Sequence, residues 1–223
     1  MHVYSDTGNA FVAAHIPPES RRILDIGCGS GDLARLIKQR RPAVTIEGIT
    51  HNQVEADAAS DVLDKVYVAD IERDAAARIA PPFDCLLFSH VLEHMRDPAR
   101  VLSAFLPMLE AGGAIVIAVP NVLEWRTRAR FLMGDWTYAD SGILDRTHLR
   151  FFTYATVEHH FDHADLRGRI EIIEKKAEGS VPLWPLRRLR SAKPLLAAID
   201  AAGTRHFPNL FGRQILLLAR KVA

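Results

Sequence analysis

Three glycines at alternate positions, Gly27, Gly29 and Gly31, constrain the fold of this chain more than any other feature. They join a short apolar run to a stretch of helical spacing that continues to Arg41. Glycine permits a tight strand-to-helix turn and leaves no Cβ where a ligand would lie against the backbone. A dinucleotide-binding loop would place its third glycine at position 32, which is Asp32 here. The loop therefore predicts a ligand-binding unit that lacks the dinucleotide fingerprint.

The first 120 residues alternate short apolar runs with segments of helical periodicity. Strands are predicted at Arg21–Gly27, Val44–Thr50, Lys65–Asp70, Phe83–Ser89 and Ala114–Pro120, and helices at Asp32–Arg41, Asn52–Ser60 and Pro98–Leu109. Strands that alternate with helices favour a parallel sheet covered on both faces. Right-handed crossovers then give a doubly wound α/β fold.

The second half of the chain is less regular. Its spacing predicts helices at Val122–Met133 and Tyr154–His163 and strands at Arg169–Lys175 and Gln214–Arg220. Between those two strands, the segment Glu178–Pro208 contains four prolines. Proline cannot occupy the middle of a central strand, so this segment is predicted to be an insertion outside the sheet.

Length, charge and cysteine count narrow the class of protein. A chain of 223 residues predicts one domain, over residues 1–223. Its 28 basic and 27 acidic residues give a net charge of +1, which provides no reason to expect nucleic acid as a partner. Cys28 and Cys85 are too few for a disulfide framework, so a reduced, cytoplasmic protein is expected. The chain has no apolar run of about 18 residues, and its start lacks the pattern of a signal peptide.

The run Leu24–Asp32, of sequence LDIGCGSGD, resembles the first motif of the class I S-adenosylmethionine-dependent methyltransferases. Two further segments resemble the same family in the same order, Ser89–His94 (SHVLEH) and Leu109–Gly113 (LEAGG). The resemblance implies a Rossmann-like, seven-stranded, mostly parallel sheet with an antiparallel last strand, preceded by the insertion at 178–208. It also implies S-adenosylmethionine as the cofactor.

The resemblance assigns cofactor contacts at the ends of successive strands. Thr50 stands where most members have an acidic residue, so Thr50 and Gln53 are the candidates for the ribose, while Glu47 is expected to be a charge at the strand margin. Asp70 is expected at the adenine amino group, with a helix N-cap as the alternative. Ser89 and His90 line the methionine half. The full predicted set is Tyr4, Asp25, Gly27, Cys28, Gly29, Gly31, Thr50, Gln53, Asp70, Ser89 and His90.

The candidate catalytic residues follow the fourth and fifth strands. A hydroxyl acceptor must lose a proton, and His148, in a polar segment after the fifth strand, is the first candidate for the base. His94 and Asp145 are the other candidates, and a loop held by hydrogen bonds among Asp145, Arg146 and His148 is the alternative. No metal is predicted: His159 and His163 are four residues apart, but two ligands do not make a zinc site.

Narrower resemblances bear on the acceptor. Pro120–Asn121, Gly142–Thr153 and Asn209–Gln214 are similar to a methyltransferase subgroup associated with bacterial cell-envelope and O-antigen sugars. The basic and apolar stretch Leu183–Arg190 is interpreted as part of a helical insertion, in preference to a peripheral membrane contact. The predicted reaction is methyl transfer from S-adenosylmethionine to an oxygen of a small molecule, such as a sugar. An N- or C-methyltransferase, or a cofactor-binding module without catalysis, are the alternatives.

Overall fold

Seven strands form one sheet in a computed structural model that describes residues 8–73, 75–183, 186–188 and 190–222. They are β1 (Arg22–Ile26), β2 (Thr45–Thr50), β3 (Lys65–Val68), β4 (Phe83–Ser89), β5 (Leu109–Pro120), β6 (Ile170–Gly179) and β7 (Gly212–Lys221). Their order across the sheet is β3-β2-β1-β4-β5-β7-β6. The first five pair in parallel, and β7 pairs antiparallel with both β5 and β6. The predicted Rossmann-like sheet with one antiparallel strand is confirmed.

Seven α-helices connect and cover these strands in the described part of the chain. They are α1 (Ala10–His15), α2 (Asp32–Arg40), α3 (Gln53–Ala59), α4 (Pro98–Phe105), α5 (Trp125–Leu132), α6 (Lys193–His206) and α7 (Pro208–Phe211). Side-chain caps fix where several begin: Asn52 accepts the Val54 N–H at the start of α3, and Asp97 accepts the Arg100 N–H at the start of α4. Across the ranges described, we find no helix with both the length and the apolar composition needed to cross a bilayer.

The core consists of two apolar layers, one on each face of the sheet. Alternation along β4 sends Cys85 and Leu87 to one face and Leu86 and Phe88 to the other. The first face packs against α1 and α2, and the second packs against α4 and the segment around Phe152. This two-sided burial explains why the central strands read as continuous apolar runs.

Several predicted boundaries were wrong because local hydrogen bonds decide them. β5 begins at Leu109 rather than at Ala114, so the pair Gly112-Gly113 lies inside the strand. The fourth helix ends at Phe105 and continues only as a 3₁₀ turn over Leu106–Met108. A helix predicted at Tyr154–His163 is a 3₁₀ turn over Val157–Phe161. In both helical predictions, the apolar spacing of the sequence continued past the point where the α-helical hydrogen bonds end.

The start of α5 was also predicted too early, at Val122. The Asn121 carboxamide accepts the Leu123 N–H and forms a turn before the helix. The Glu124 carboxylate accepts the Thr127 N–H and caps it, so the helix begins at Trp125. A capping side chain therefore separates the end of β5 from the helix by a full turn.

The predicted insertion is present between β6 and β7 and contains α6 and α7. Its first two residues were placed wrongly, because 178 and 179 complete β6. The Asp200 carboxylate holds the start of the insertion to α6, accepting the Val181 N–H at 2.8 Å and the Arg187 guanidinium at 2.6 Å. These polar contacts hold the insertion together internally.

Glu47 is not a charge at a strand margin, as the sequence suggested. It is buried, accepts two hydrogen bonds from the Arg22 guanidinium, and accepts the Tyr67 hydroxyl at 2.8 Å. The partners come from the neighbouring strands β1 and β3, which periodicity within β2 cannot reveal. Glu47 therefore joins three strands through partly buried polar contacts.

Candidate active site

The glycine loop connects β1 to α2 at the carboxyl edge of the sheet. Gly27, Gly29 and Gly31 have φ values of 81°, 50° and 81°, in the left-handed region that favours glycine. The N–H groups of Gly27 and Cys28 both donate to the Ile49 carbonyl, which ties the loop to β2. A Cβ on Gly27 would lie 2.6 Å from a methyl carbon of Val91. The loop thus has the backbone shape that the motif predicted.

Cys28 serves packing inside this loop. Its thiol is buried, and a Cβ on Gly48 would lie 2.7 Å from its sulfur. Burial, with the nearby charges of Asp25 and Glu55, raises the pKa of the Cys28 thiol well above its usual range. A thiol held in the protonated form is a poor nucleophile, so Cys28 acts here through its size and packing.

Asp25 lies on β1, just before the loop, and is buried. Its Oδ2 atom has no hydrogen-bond partner among the described residues. Burial raises the pKa of this carboxyl to about 7. A cationic ligand at the loop would favour the ionised form of such a group, because an opposite charge nearby lowers a carboxyl pKa. S-adenosylmethionine, a sulfonium with an amino group, is a ligand of that kind, so loop and carboxyl fit the predicted cofactor.

The two residues predicted to contact the ribose, Thr50 and Gln53, differ in exposure. Thr50 is buried, and its hydroxyl donates to the Glu55 carboxylate at 2.6 Å. Gln53 is exposed, and its amide donates to Asp57. Glu55, buried on α3, was not predicted; a carboxylate one turn beyond the Thr50 position was the available signal.

Asp70 follows β3 and is half-exposed. Its carboxylate accepts the Glu72 N–H at 2.9 Å and pairs with Arg73 at 3.3 Å. The backbone contact resembles the capping role given as the alternative, although residues 71–73 form a turn and not a helix. Tyr4 lies outside the described residues.

Ser89 ends β4 at the same edge of the sheet, and His90 follows it. His90 has a φ of 54°, which is uncommon for a residue with a side chain. Its ring nitrogens lie 3.3 Å from Glu93 Oε1 and 2.9 Å from Gln214 Oε1. The strained turn therefore holds the imidazole between the segment after β4 and the start of β7.

The structure brings His94 and His148 together, as two of the three predicted catalytic residues. Their ring centroids lie 4.8 Å apart in an edge-to-face arrangement. His148 Nδ1 lies 3.0 Å from the Ile143 carbonyl, and His94 Nδ1 lies 2.9 Å from the Thr147 hydroxyl. Burial lowers the pKa of His148 below its ordinary value.

Asp145, the third candidate, is buried behind this pair. Its carboxylate accepts both the N–H and the hydroxyl of Thr147, at 2.8 and 2.7 Å. Thr147 in turn contacts His94. Arg146 pairs with Asp140 at the surface. Asp145 is therefore placed to orient His94 through Thr147.

Glu93 completes the cluster and was not predicted, although it stands within the quoted SHVLEH segment. Its side chain is 1% exposed, and its Oε2 atom has no hydrogen-bond partner in the described structure. Its backbone carbonyl accepts the N–H groups of Leu149 and Arg150, which binds the loop after α5 to the segment after β4. A carboxylate next to His94 in an apolar segment was the signal in the sequence.

A cleft of about 370 Å³ lies beside α5 and the loop that follows it. It is lined by Glu124, Arg126, Thr127, Arg130, Ala139, Ser141, Ile143, Leu144 and Arg213. Ile143 connects the two features, since its carbonyl contacts the His148 ring. Ligands of open α/β sheets bind outside the carboxyl ends of the strands, which is where this cleft lies.

Comparison with known proteins agrees with this architecture. A family model described as a methyltransferase domain matches residues 2–169. A ubiquinone biosynthesis O-methyltransferase of Xanthomonas axonopodis pv. citri (strain 306) is 27% identical over 136 residues, covering 60% of this chain and 55% of the relative. A protein of the same name from Caulobacter vibrioides is 30% identical and is covered to 54%. The chain thus spans about half the length of the curated relatives it matches.

Solved structures show the same fold. A SAM-dependent methyltransferase from Archaeoglobus fulgidus superposes with a TM-score of 0.64 at 21% identity, over 95% of this chain and 91% of the other. The plantazolicin methyltransferase BpumL in complex with SAH superposes with a TM-score of 0.57 at 16% identity, over 96% and 80%. At these identities the likeness concerns the fold.

The match over residues 2–169 covers most of the chain, which therefore belongs to the methyltransferase domain family. The predicted class, an S-adenosylmethionine-dependent methyltransferase, and its cofactor are confirmed. The narrower likeness to a cell-envelope subgroup is not confirmed, because the relatives reported above are named for ubiquinone biosynthesis.

Proposed function

We propose that this protein transfers a methyl group from S-adenosylmethionine to an oxygen atom of a small-molecule acceptor. The observation that carries the proposal is one juxtaposition: the glycine loop after β1 and the cluster of Glu93, His94 and His148 lie at the same edge of the sheet. A donor site and a group able to activate a hydroxyl are thereby brought together. The names of the relatives, which are O-methyltransferases, support oxygen as the acceptor atom.

The cofactor is proposed to extend along the strand ends from the loop. In this proposal the loop residues contact the methionine half, together with Ser89 and His90, and Gln53 and Asp70 contact the nucleoside. The Thr50 hydroxyl already donates to Glu55, so Thr50 would act on the ribose with Glu55 beside it. The predicted contact of Tyr4 remains part of the proposal.

The acceptor is proposed to occupy the cleft beside α5. Arg126, Arg130 and Arg213 line it together with Glu124. These side chains favour a polar acceptor, which suits a small metabolite with acidic or hydroxyl groups. A sugar of the cell envelope is a narrower version of the same proposal.

The reaction is an in-line displacement. The acceptor oxygen forms a bond to the methyl carbon as the carbon–sulfur bond breaks, and the electron pair of that bond remains on sulfur, giving S-adenosylhomocysteine. Orientation of two bound reactants supplies up to about 7–11 kcal/mol. The acceptor proton is proposed to pass to His148, whose Nδ1–H donates to the Ile143 carbonyl and so leaves the lone pair on Nε2. Asp145 positions His94 through Thr147.

A methyl-transfer assay tests the proposal directly. Purified protein with labelled S-adenosylmethionine is offered hydroxylated metabolites, and the labelled product is located by mass spectrometry. With the true acceptor, His148→Ala is expected to lower single-turnover transfer by roughly 10²–10⁴-fold while S-adenosylhomocysteine affinity stays nearly unchanged. Label on nitrogen or carbon would contradict the assigned atom, and cofactor binding without turnover on any acceptor would indicate a binding module.

The same variant distinguishes catalysis from loop positioning. If His148 only holds its loop, His148→Ala lowers the free energy of unfolding and acceptor affinity, with little effect on the single-turnover rate. His159→Ala is the matched control, because His159 is an exposed histidine on a different turn. It is expected to leave both the rate and the stability unchanged.

A further inference from the structure

We propose that Glu93, His94 and His148 bind a divalent transition-metal cation at the acceptor side of the site. Each side chain offers one ligand atom, and the three atoms lie within 4.8 Å of one another. Tetrahedral zinc with bonds of about 2.0–2.2 Å places its ligand atoms about 3.3–3.6 Å apart, so side-chain rotations that bring these atoms up to about 1.5 Å closer would close the set. Metal binding is inferred from the three ligand atoms alone. Only the part that the ion would play in methyl transfer rests on the proposed function.

The hydrogen bonds of the two imidazoles favour coordination. His148 Nδ1 faces a backbone carbonyl, which can only accept, so Nδ1 carries the proton and Nε2 the lone pair. The Thr147 hydroxyl donates to Asp145, so His94 Nδ1 donates to Thr147 and its Nε2 likewise carries the lone pair. Metal-binding histidines almost always donate their other ring N–H to a carbonyl or carboxylate system in this way.

Glu93 provides an independent observation. It is 1% exposed, and its Oε2 atom is buried without a hydrogen-bond partner among described residues. A buried carboxylate oxygen of this kind is costly unless a donor or a cation satisfies it. The two histidines beside it are only partly buried, so the open side of the cluster is accessible to an acceptor.

Two imidazoles and one carboxylate indicate the class of ion. This set suits zinc with an open position, and also iron(II) or manganese(II), in preference to magnesium or calcium. Bound there, the cation would coordinate the acceptor oxygen and lower the pKa of its hydroxyl, so that the proton leaves to solvent. The His148 lone pair would then hold the ion, and the ion would replace the imidazole as the activating group; the transfer of the acceptor proton to His148 would apply only to the metal-free protein.

The test measures metal binding without turnover. Tag-free protein is stripped with a chelator and titrated with Zn²⁺ by calorimetry, alongside Glu93→Gln, His94→Ala and His148→Ala. We expect one equivalent of Zn²⁺ bound by the wild type and at least about 100-fold weaker binding by each variant, with Asp145→Asn about 10–100-fold weaker. His159→Ala/His163→Ala, which removes two exposed histidines elsewhere, should bind as the wild type does.

Titration with S-adenosylhomocysteine on the same samples shows whether each variant is folded and keeps the cofactor site. Unchanged Zn²⁺ affinity in the three variants, or a wild type without a one-to-one site, would overturn the inference even if methyl transfer is found. Loss of cofactor binding by the wild type would instead overturn the proposed function. A variant that binds neither Zn²⁺ nor S-adenosylhomocysteine is treated as misfolded and is replaced by His148→Gln. The inference requires His148→Gln to lose Zn²⁺ binding while it still binds the cofactor.

Discussion

At the scale of single residues, three buried carboxyl groups lie near the carboxyl ends of the parallel strands. Asp25, Glu55 and Glu93 are all nearly inaccessible to solvent, and two of them have an oxygen without a hydrogen-bond partner in the described ranges. Buried carboxyl groups of this kind reduce stability in the absence of a ligand. Because these groups lie at the proposed cofactor and acceptor sites, a bound ligand can offset the stability that their burial costs.

Asp25 makes this cost measurable through pH. Its folded pKa is about 7, against an ordinary value of 3.8, so between those values the folded state holds a proton that the unfolded state has lost. Stability contributed by this group is therefore present at pH 4 and falls as the pH rises to 7, by at most about 4 kcal/mol.

Asp25→Asn should make the free energy of unfolding less dependent on pH between 4 and 7. Urea unfolding at pH 5, 6, 7 and 8 measures the difference between the variant and the wild type. Asp57→Asn, which changes an exposed carboxyl on α3, is the control and should keep the wild-type slope. Equal slopes for Asp25→Asn and the wild type would contradict the assignment.

Gly29→Ala tests whether the loop backbone touches the cofactor. A side chain at a φ of 50° costs about 1–2 kcal/mol of strain, whatever the ligand does. Gly168→Ala is the matched control, because Gly168 has a φ of 72° and open space around it. Both variants should lose stability, but only Gly29→Ala should bind S-adenosylhomocysteine more than tenfold more weakly in a calorimetric titration. An equal affinity for the two variants would show that no close contact exists.

At the scale of elements, the sequence predicted strands better than their connections. The strands β1, β2 and β4 were found almost to the residue because each is an apolar run with a turn at its end. Helix starts depended on caps: α5 begins where Glu124 accepts the Thr127 N–H, and no periodicity marks that contact. Periodicity does not mark long-range polar contacts either. Glu47 is an example, because its partners come from two other strands.

One buried carboxamide joins three elements, although the sequence marked it only as part of a resemblance and not for its contacts. Asn121, at the end of β5, is fully buried, and its Nδ2 donates to the carbonyls of Pro208, Asn209 and Gly212, at 3.3, 3.2 and 2.7 Å. It thereby fixes α7 and the start of β7 against the turn before α5. Arg213 on β7 and Glu124 before α5 line the cleft proposed for the acceptor, so the relative position of β7 and this turn matters to that proposal.

Replacing this side chain should destabilise the protein through the carbonyls it leaves unpaired. Asn121→Ala is expected to lower the free energy of unfolding by about 1–3 kcal/mol for each buried group that stays unsatisfied. Asn121→Asp keeps the shape but cannot donate when ionised, so it should be the less stable of the two at pH 8. Urea unfolding measures both. A loss under about 0.5 kcal/mol for Asn121→Ala would mean that water replaces the amide.

At the scale of the whole molecule, the sheet and its site follow one rule of parallel α/β folds. The glycine loop, His90, the His94–His148 pair and the cleft all lie at the carboxyl edge, so strand direction alone brings residues together that are more than 100 positions apart. The sequence therefore predicted the edge of the sheet at which these residues lie. Glu93 and Glu55 were not predicted as members, although each lies close in sequence to a predicted site residue, because the contacts that make them members form only in the folded chain.

The insertion between β6 and β7 provides the last prediction, on how stability is distributed. Asp200, on α6, accepts both the Val181 N–H and the Arg187 guanidinium, and its side chain is mostly buried. Hydrogen bonds to a charged group contribute about 1.5–3 kcal/mol each, but only to this segment, because the seven-stranded core lies elsewhere. We expect trypsin to cut wild-type protein first within the insertion, at the exposed Arg187 or Arg188, before any site in the glycine loop or α2. Asp200→Ala should raise that cleavage rate roughly tenfold, because local opening of the insertion becomes easier. The rest of the chain should still unfold in one cooperative transition, as expected of a single domain. Mass spectrometry of timed digests identifies the first cut, and Asp165→Ala, which removes an exposed carboxylate that pairs with His163, is the control. A first cut outside the insertion, or two separate unfolding transitions in the wild type, would show that the chain divides differently from the single domain predicted over residues 1–223.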